Sequence, residues 1–348
     1  MDLTTRINAF SQLGEWLRSP AADEQRTQWA QAAQNENNWF TPENVSLALD
    51  TIAQQYLVRA NLETWLARYA FRADADLTPP KRVGVIMAGN IPAVGFHDAL
   101  CVLLAGHTLL AKLSSQDAVL MRGLLQKLTE IEAGFVDHVV FTERLNNAEA
   151  TIATGNDNSA RYFEYYFGKN PHIIRKNRSA VGVLTGLEPT EELNALGKDI
   201  LTYYGLGCRN VSKLYVPESY DFRAFYESIE PLGDVILHHK YHNNYDYNKA
   251  VMLINQTDFL DNGFLLLAPN DAPVSPLSVV HYETYTSTNQ LKQALTENAE
   301  KLQCVVSARG WLPGSLPFGT AQSPRLTDYA DGIDTMAFLA SLTEWLND

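Results

Sequence analysis

The residues best suited to chemistry in this 348-residue chain lie in one stretch, Gly205-Leu206-Gly207-Cys208-Arg209-Asn210. Two glycines mark a turn, and glycine lets the backbone take positive φ or approach other groups closely. A cysteine carried on such a turn can reach a substrate as a nucleophile. Arg209 beside it favours the thiolate, the reactive form. The competing reading is a buried, inert thiol, because cysteine is among the most buried residue types. A second cluster is His238, His239 and His242. His238 and His242 have the i, i+4 spacing that can bind zinc from a helix face. No acid at metal-motif spacing accompanies them, and the Asn- and Tyr-rich context reads as a surface loop or pocket rim, so no metal is expected. His97 and Asp98 read as a satisfied polar pair on a buried helix, and Cys101 and Cys304, set in apolar runs, read as core. Neither a Gly-x-Gly-x-x-Gly after the first strand nor a P-loop occurs, so neither standard nucleotide fingerprint is supported.

The elements that position these residues follow from periodicity. Residues 1–72 read as helices: Leu3, Ile7, Phe10, Leu13 and Trp16 share one apolar face, and Thr41-Pro42-Glu43 is a helix start. The segment 73–80 is a linker by composition. Residues 83–88 form a short apolar run, as in a strand buried on both faces of a parallel sheet. Pro92 suits the first position of a helix running to about residue 105, apolar nearly all round and therefore buried. Residues 107–113 read as a strand, 114–117 cap a helix to about 132, and 139–141 form another strand. Residues 150–157 read as strand then helix start, with amides that could hold a phosphate. Strand, helix and strand in alternation describe an open α/β sheet, whose ligands lie beyond the carboxyl ends of its strands. Asn90, Lys112 and Ser115 fall at such ends. Residues 179–184 are a further strand. The helical run before Cys208 opens with Thr190-Glu191-Glu192, acids that complement its dipole, and extends to Tyr204. An apolar alternation over 211–217 follows as a strand.

The formal net charge of −13 and its diffuse distribution oppose nucleic-acid binding, which needs a basic footprint. Three scattered cysteines make no disulfide framework and fit a reducing compartment. No leader-like apolar segment and no 18-residue apolar run occurs, so the expectation is a cytoplasmic protein without a membrane span.

Asn90-Ile91-Pro92, Leu104-Ala105-Gly106-His107 through Ser115, Ala153-Thr154-Gly155 and Gly207-Cys208 stand in an order that resembles the aldehyde dehydrogenase superfamily. The closer resemblance is to its LuxC-type acyl-CoA reductases. It extends through Gly205 to Pro217, Phe318-Gly319-Thr320-Ala321-Gln322-Ser323-Pro324 and Asp328-Tyr329-Ala330-Asp331-Gly332-Ile333-Asp334-Thr335. The resemblance implies an α/β fold with a helical N-terminal region (1–78), a Rossmann-like cofactor domain (79–179), a catalytic domain with the nucleophilic cysteine (180–320) and a C-terminal segment returning to the core (321–348), with a cleft between the domains. It implies that Cys208 attacks an acyl-CoA thioester and that NADPH reduces the acyl-enzyme to an aldehyde. Asn90 matches an oxyanion donor acting with the Cys208 backbone N–H, and Lys112, Thr154, Gly155 and Asn156 match cofactor-contacting positions. Ser115 stands where NAD-preferring relatives often carry a glutamate, which favours NADPH. The glutamate that usually holds the nicotinamide ribose has no clear match; Asp271 is near its place but out of register. Ile174 falls where aldehyde-oxidising relatives place the water-activating glutamate, so little hydrolysis is expected. An acyl-donating partner protein and a homodimer are compatible with this reading. Two rivals stay open: Cys208-dependent acyl transfer without a nucleotide, and a non-catalytic relative that binds acyl chains or a partner.

Overall fold

A computed structural model describes residues 1–69, 80–155 and 157–342. The expected linker at 73–80 falls, except for Pro80, outside the described residues. The chain divides into two compact units, residues 1–176 with 324–348, and residues 177–323.

In the first unit, helices α1 (Leu3–Leu17), α2 (Asp23–Glu36), α3 (Pro42–Thr51) and α4 (Arg59–Leu66) precede the sheet. α3 begins as its start signal predicts, with the Thr41 side chain accepting from the Asn44 N–H behind Pro42. β1 (Arg82–Ile86), β2 (Thr108–Lys112), β3 (Val139–Phe141), β4 (Ala150–Thr154) and β5 (His172–Arg175) form an all-parallel sheet in the order β3-β2-β1-β4-β5. Between them run α5 (Phe96–Leu104), α6 (Ala118–Ile131) and α7 (Asp157–Phe167). The order reverses at β1, and the crevice beyond β1 and β4 is where such sheets bind ligands. Phe10, Leu13 and Leu17 of α1 are fully buried and share one core with Val83, Val85, Leu109 and Ile152 of the strands. Burying each such side chain contributes about 1.5–3 kcal/mol, so the N-terminal helices and the sheet stand as one body.

α5 begins at Phe96, not at Pro92. Residues 91–95 form a turn in which Ala93 has φ +54°, and a left-handed residue cannot continue a helix. His97 and Asp98 are satisfied, but not by each other. Asp98 pairs with Arg175 at 2.6 Å, Arg175 also donates to the Thr335 hydroxyl at 2.7 Å, and His97 Nε2 meets the Leu326 carbonyl at 3.0 Å. Burial works against the Arg175 charge, but the Asp98 carboxylate outweighs it and holds the guanidinium above its usual pKa. These bonds fasten the returning segment, which ends in a helix at Thr335–Ser341, to α5 and β5. Cys101 is fully buried as expected, and burial raises its thiol pKa well above the usual value.

The second unit holds β6 (Ser179–Val183), β7 (Val211–Pro217), β8 (Leu260–Asp261), β9 (Leu266–Pro269), β10 (Val279–Tyr285), β11 (Leu302–Ser307) and β12 (Leu316–Pro317). Their order is β12-β11-β6-β7-β10-β9-β8, parallel except for β8 against β9. α8 (Thr190–Leu201), α9 (Arg223–Ile229), α10 (His239–Ile254) and α11 (Thr288–Glu297) accompany it. Cys304 on β11 is half-buried rather than core. The histidine-rich stretch is not a loop: it opens α10. The buried face of that helix is Tyr241, Tyr245 and Asn248, whose polar ends bond the Phe264 carbonyl, Asp261 and the Leu277 carbonyl. Among the described residues no helix is long and apolar enough to cross a membrane.

Candidate active site

Cys208 is held by one buried side chain. α8 ends at Leu201, and Tyr203, Tyr204 and Gly205 then take φ +53°, +58° and +78°. Glycine accepts this conformation freely, whereas each tyrosine costs about 1–2 kcal/mol there, so the turn must be fixed from elsewhere. Asn210, 2 % exposed, fixes it. Its Nδ2 donates to the carbonyls of Asp199 (3.1 Å), Ile200 (3.1 Å) and Thr202 (2.8 Å). Its Oδ1 accepts the Gly207 N–H at 2.8 Å. One amide therefore satisfies the open carbonyls at the end of α8 and closes the turn that carries the half-buried Cys208. Its donated hydrogen bonds also offset part of the negative end of the helix dipole. The helix therefore stops before Tyr204, the expected limit, because two residues beyond Leu201 are left-handed.

A second clamp holds the loop between β9 and β10. Lys213, fully buried, donates to Glu283 at 2.6 Å and to the Asp271 carbonyl at 2.6 Å. His281 Nδ1 bonds the Ala272 carbonyl at 3.0 Å, and Ser212 Oγ donates to the Pro273 carbonyl at 3.0 Å. Three consecutive carbonyls thus receive donors from β7 and β10. Farther along, the loop reaches the cysteine turn: a Cβ on Gly205 would lie 3.5 Å from Leu277. A cavity of about 50 Å³ lies here, lined by Tyr204, Gly205, Ser212, Tyr241, Pro276 and Ser278 among others. No sequence pattern announced Asn210 or Lys213. A lysine within an apolar strand pattern is the only trace of the second clamp.

Asp199, 1 % exposed on α8, accepts the N–H groups of Gly319 (2.7 Å) and Ala321 (3.1 Å), which ties down the Phe318–Ala321 stretch. Burial raises its pKa from 3.8 to about 6, and those two bonds oppose the rise. The folded value exceeds the unfolded one, so the stability this carboxyl contributes is complete below about pH 4 and lost as pH rises through about 6. Relative to Asp199→Asn, the wild type should lose on the order of 1–3 kcal/mol of stability between pH 4 and 7. Denaturant unfolding of both proteins across that range checks it; a constant difference would refute the shift.

In the first unit, Asn90, Lys112, Ser115, Thr154 and Gly155 gather along the carboxyl edge of the sheet. Lys112 closes β2 opposite Ile86 of β1, and Ala153 pairs with Ile86 from the other side. Asn90 and Ser115 are exposed, while Lys112 and Thr154 are half-buried. Gly89 allows a close approach here, since a Cβ would sit 2.4 Å from Ser114 Oγ. Lys112 is 4.0 Å from Glu143, which is 98 % exposed, so this contact holds it only loosely. Gly155 corrects one expectation: its N–H already donates to the Arg175 carbonyl at 3.2 Å and is not open to a phosphate. A Cβ on Gly155 would meet Ser159 and Phe163 of α7 at 2.8 and 2.9 Å, so this glycine serves packing. Asn156 lies outside the described residues. Ile174 is half-buried on β5, alternating with Arg175.

The histidines have protein partners. His242 pairs with Asp246 at 3.4 Å, His238 Nδ1 accepts the Tyr241 N–H at 3.4 Å, and no metal-binding group of three ligands occurs among the described residues.

No family model matches the sequence, and a search of curated proteins finds no relative. Solved structures do match. An indole-3-acetaldehyde dehydrogenase from P. syringae, in complex with NAD+ and IAA, superposes with TM-score 0.66 at 11% identity, over 92% of this chain and 75% of that one. An aldehyde dehydrogenase from Bacillus cereus in its NAD+ complex gives 0.62 at 13%, over 88% and 72%. An NADP-dependent enzyme from E. coli gives 0.62 at 13%, over 88% and 73%. At these identities the likeness is one of fold: the chain has an aldehyde-dehydrogenase-like α/β architecture.

Proposed function

We propose that the chain is an NADPH-dependent acyl-thioester reductase that takes acyl-CoA to an aldehyde through an acyl-enzyme on Cys208. The observation that carries this reading is the cysteine turn. A half-buried thiol stands on a strained loop whose geometry one buried asparagine enforces, and strain of this kind gathers at functional sites. The alternative of an inert cysteine leaves the two left-handed tyrosines and the fourfold bonding of Asn210 without a purpose.

The chemistry assigned to the chain divides into two steps. The Cys208 sulfur attacks the thioester carbonyl, the carbon–sulfur bond to CoA breaks, and CoA leaves with its electron pair and takes up a proton. Splitting the reaction at a covalent intermediate lowers each barrier. The Cys208 N–H is assigned as a donor to the developing oxyanion, and Asn90 keeps the oxyanion role that the sequence resemblance implies. A nicotinamide dinucleotide, for which Lys112, Ser115 and Thr154 are the proposed contacts, would supply hydride to the acyl carbon. The aldehyde then leaves and Cys208 returns as thiolate. Ile174 cannot accept a proton, so no water is activated from that position to hydrolyse the acyl-enzyme.

The residues at the carboxyl edge of the first sheet fit a dinucleotide. Lys112 offers an ammonium that its exposed partner does not occupy fully, Ser115 an exposed hydroxyl donor, and Thr154 a half-buried hydroxyl. Ser115 carries no charge to repel a 2′-phosphate, and Lys112 attracts one. NADPH is therefore expected to exceed NADH in kcat/KM, and replacing Ser115 with glutamate should reverse the order. Steady-state rates of nicotinamide oxidation with a series of acyl-CoA chain lengths test both the reaction and the preference. If no acyl-CoA of the series supports nicotinamide oxidation, the reductase reading is removed. Equal or higher kcat/KM with NADH would remove the assignment of Ser115 and Lys112.

A further inference from the structure

The histidines at the start of α10 are organised by ring contacts. Tyr204, four residues before Cys208, lays its ring on His238 at a centroid distance of 4.4 Å and 38°. His238 in turn stacks on His239 at 5.3 Å and 21°. Tyr241 flanks the inner end, 6.1 Å from Tyr204. Two of its rings are held: the left-handed backbone at Tyr204 aims its ring, and the Tyr241 N–H holds His238 by its Nδ1. It ends in the exposed ring of His239, next to Lys240. Between Asp234 and Asp246 the sequence contains no other acid. In a chain of net charge −13, this is a stretch of eleven residues without an acid of its own.

We propose that the Tyr204–His238–His239 column is a stacking platform for an adenine nucleotide, the nucleotide end of the CoA thioester whose carbonyl meets Cys208. The identification of the substrate class rests on the reading given under Proposed function; the platform itself rests on the rings. An ordered column with an open aromatic face binds a planar base without needing its hydrogen-bonding edge, and Lys240 with the flanking histidines suits the phosphates that accompany it. The inner end of the column belongs to the cysteine turn. A nucleotide held at its outer end is joined to the reacting carbonyl by the flexible pantetheine arm. The same feature separates CoA from a pantetheine-bearing carrier protein, which offers no adenine.

Three measurements on the full chain decide it. Calorimetric titration with adenosine 3′,5′-bisphosphate should show binding that His239→Ala weakens about tenfold, a change of 1.4 kcal/mol, and that His239→Trp restores. This arm needs no turnover, so it judges the platform even if the reductase reading fails. Second, His239→Ala should lower kcat/KM for acyl-CoA about tenfold while leaving acyl-pantetheine unchanged; equal loss on both thioesters would mean a structural role and overturn the proposal. Third, KM for NADPH should stay constant; a rise there, with unaltered discrimination between the thioesters, would assign the stacked adenine to the dinucleotide and overturn the CoA assignment. His239 is exposed, so its substitution is not expected to unfold the protein. Absence of bisphosphate binding to the wild type would also end the proposal.

Discussion

Cys208→Ser should lower NADPH oxidation with acyl-CoA by about 10³-fold or more, while the melting temperature stays close to that of the wild type. The size follows from the role: loss of a covalent nucleophile removes the pathway rather than tuning it, and such losses are commonly the largest in an active site. Serine replaces sulfur with a smaller, much less acidic hydroxyl, so the nucleophilic anion is scarcely formed at neutral pH. The fold is expected to survive because Cys208 is half-buried and the Asn210 side chain closes its turn through the Gly207 N–H. Steady-state rates and thermal unfolding are read together. A variant that keeps wild-type rates would remove Cys208 from the mechanism.

Asn210→Ala should cost both stability and chemistry. The substitution breaks bonds to three carbonyls and one N–H made by a buried side chain. Each net hydrogen bond is worth about 0.5–1.5 kcal/mol and an orphaned buried group costs more, so the loss should reach about 2–4 kcal/mol. The left-handed backbone at Tyr203 and Tyr204 then lacks its main restraint, and the cysteine turn relaxes. A displacement of the order of an ångström at a reacting atom can cost about 10²-fold, and acylation of Cys208 should slow by about that factor. Asn210→Asp is the sharper control. It retains an acceptor for the Gly207 N–H but faces three carbonyls with a carboxylate, and should be no better than alanine. Denaturant unfolding gives the first quantity, and the rate of CoA release without nicotinamide gives the second. Unchanged values in both would make Asn210 a bystander.

The parts of the molecule legible in the sequence are those that a single local rule controls. β1, β3 and β7 follow from apolar runs or alternation, α3 from Thr41-Pro42, and the cysteine turn from Gly205 and Gly207. The placing of Asn90, Lys112 and Ser115 along one sheet edge follows from the strand–helix–strand order alone. Elsewhere tertiary contacts override the local signal. Pro92 marks a helix start, but left-handed Ala93 delays α5 to Phe96. α10 looked like a loop because its buried face is tyrosine and asparagine, residues whose burial is favourable only through partners at Phe264, Asp261 and Leu277, distant in sequence. Asp98 found its partner on β5 rather than beside it. Asn210 and Lys213 are illegible for the same reason: each acts on carbonyls that only the folded chain assembles.

Cys208 is proposed to form an acyl-enzyme that hydride, not water, resolves; the resemblance puts Ile174, which cannot accept a proton, at the position of a water-activating glutamate. The most direct test mixes the protein with acyl-CoA in the absence of any nicotinamide and follows free CoA and free acid together, with mass spectrometry of the Cys208 peptide. The predicted result is a single burst of about one CoA per chain, an acyl adduct on Cys208, and no matching release of acid until NADPH is added and aldehyde appears. Steady release of free acid, or no CoA burst and no adduct, would contradict it.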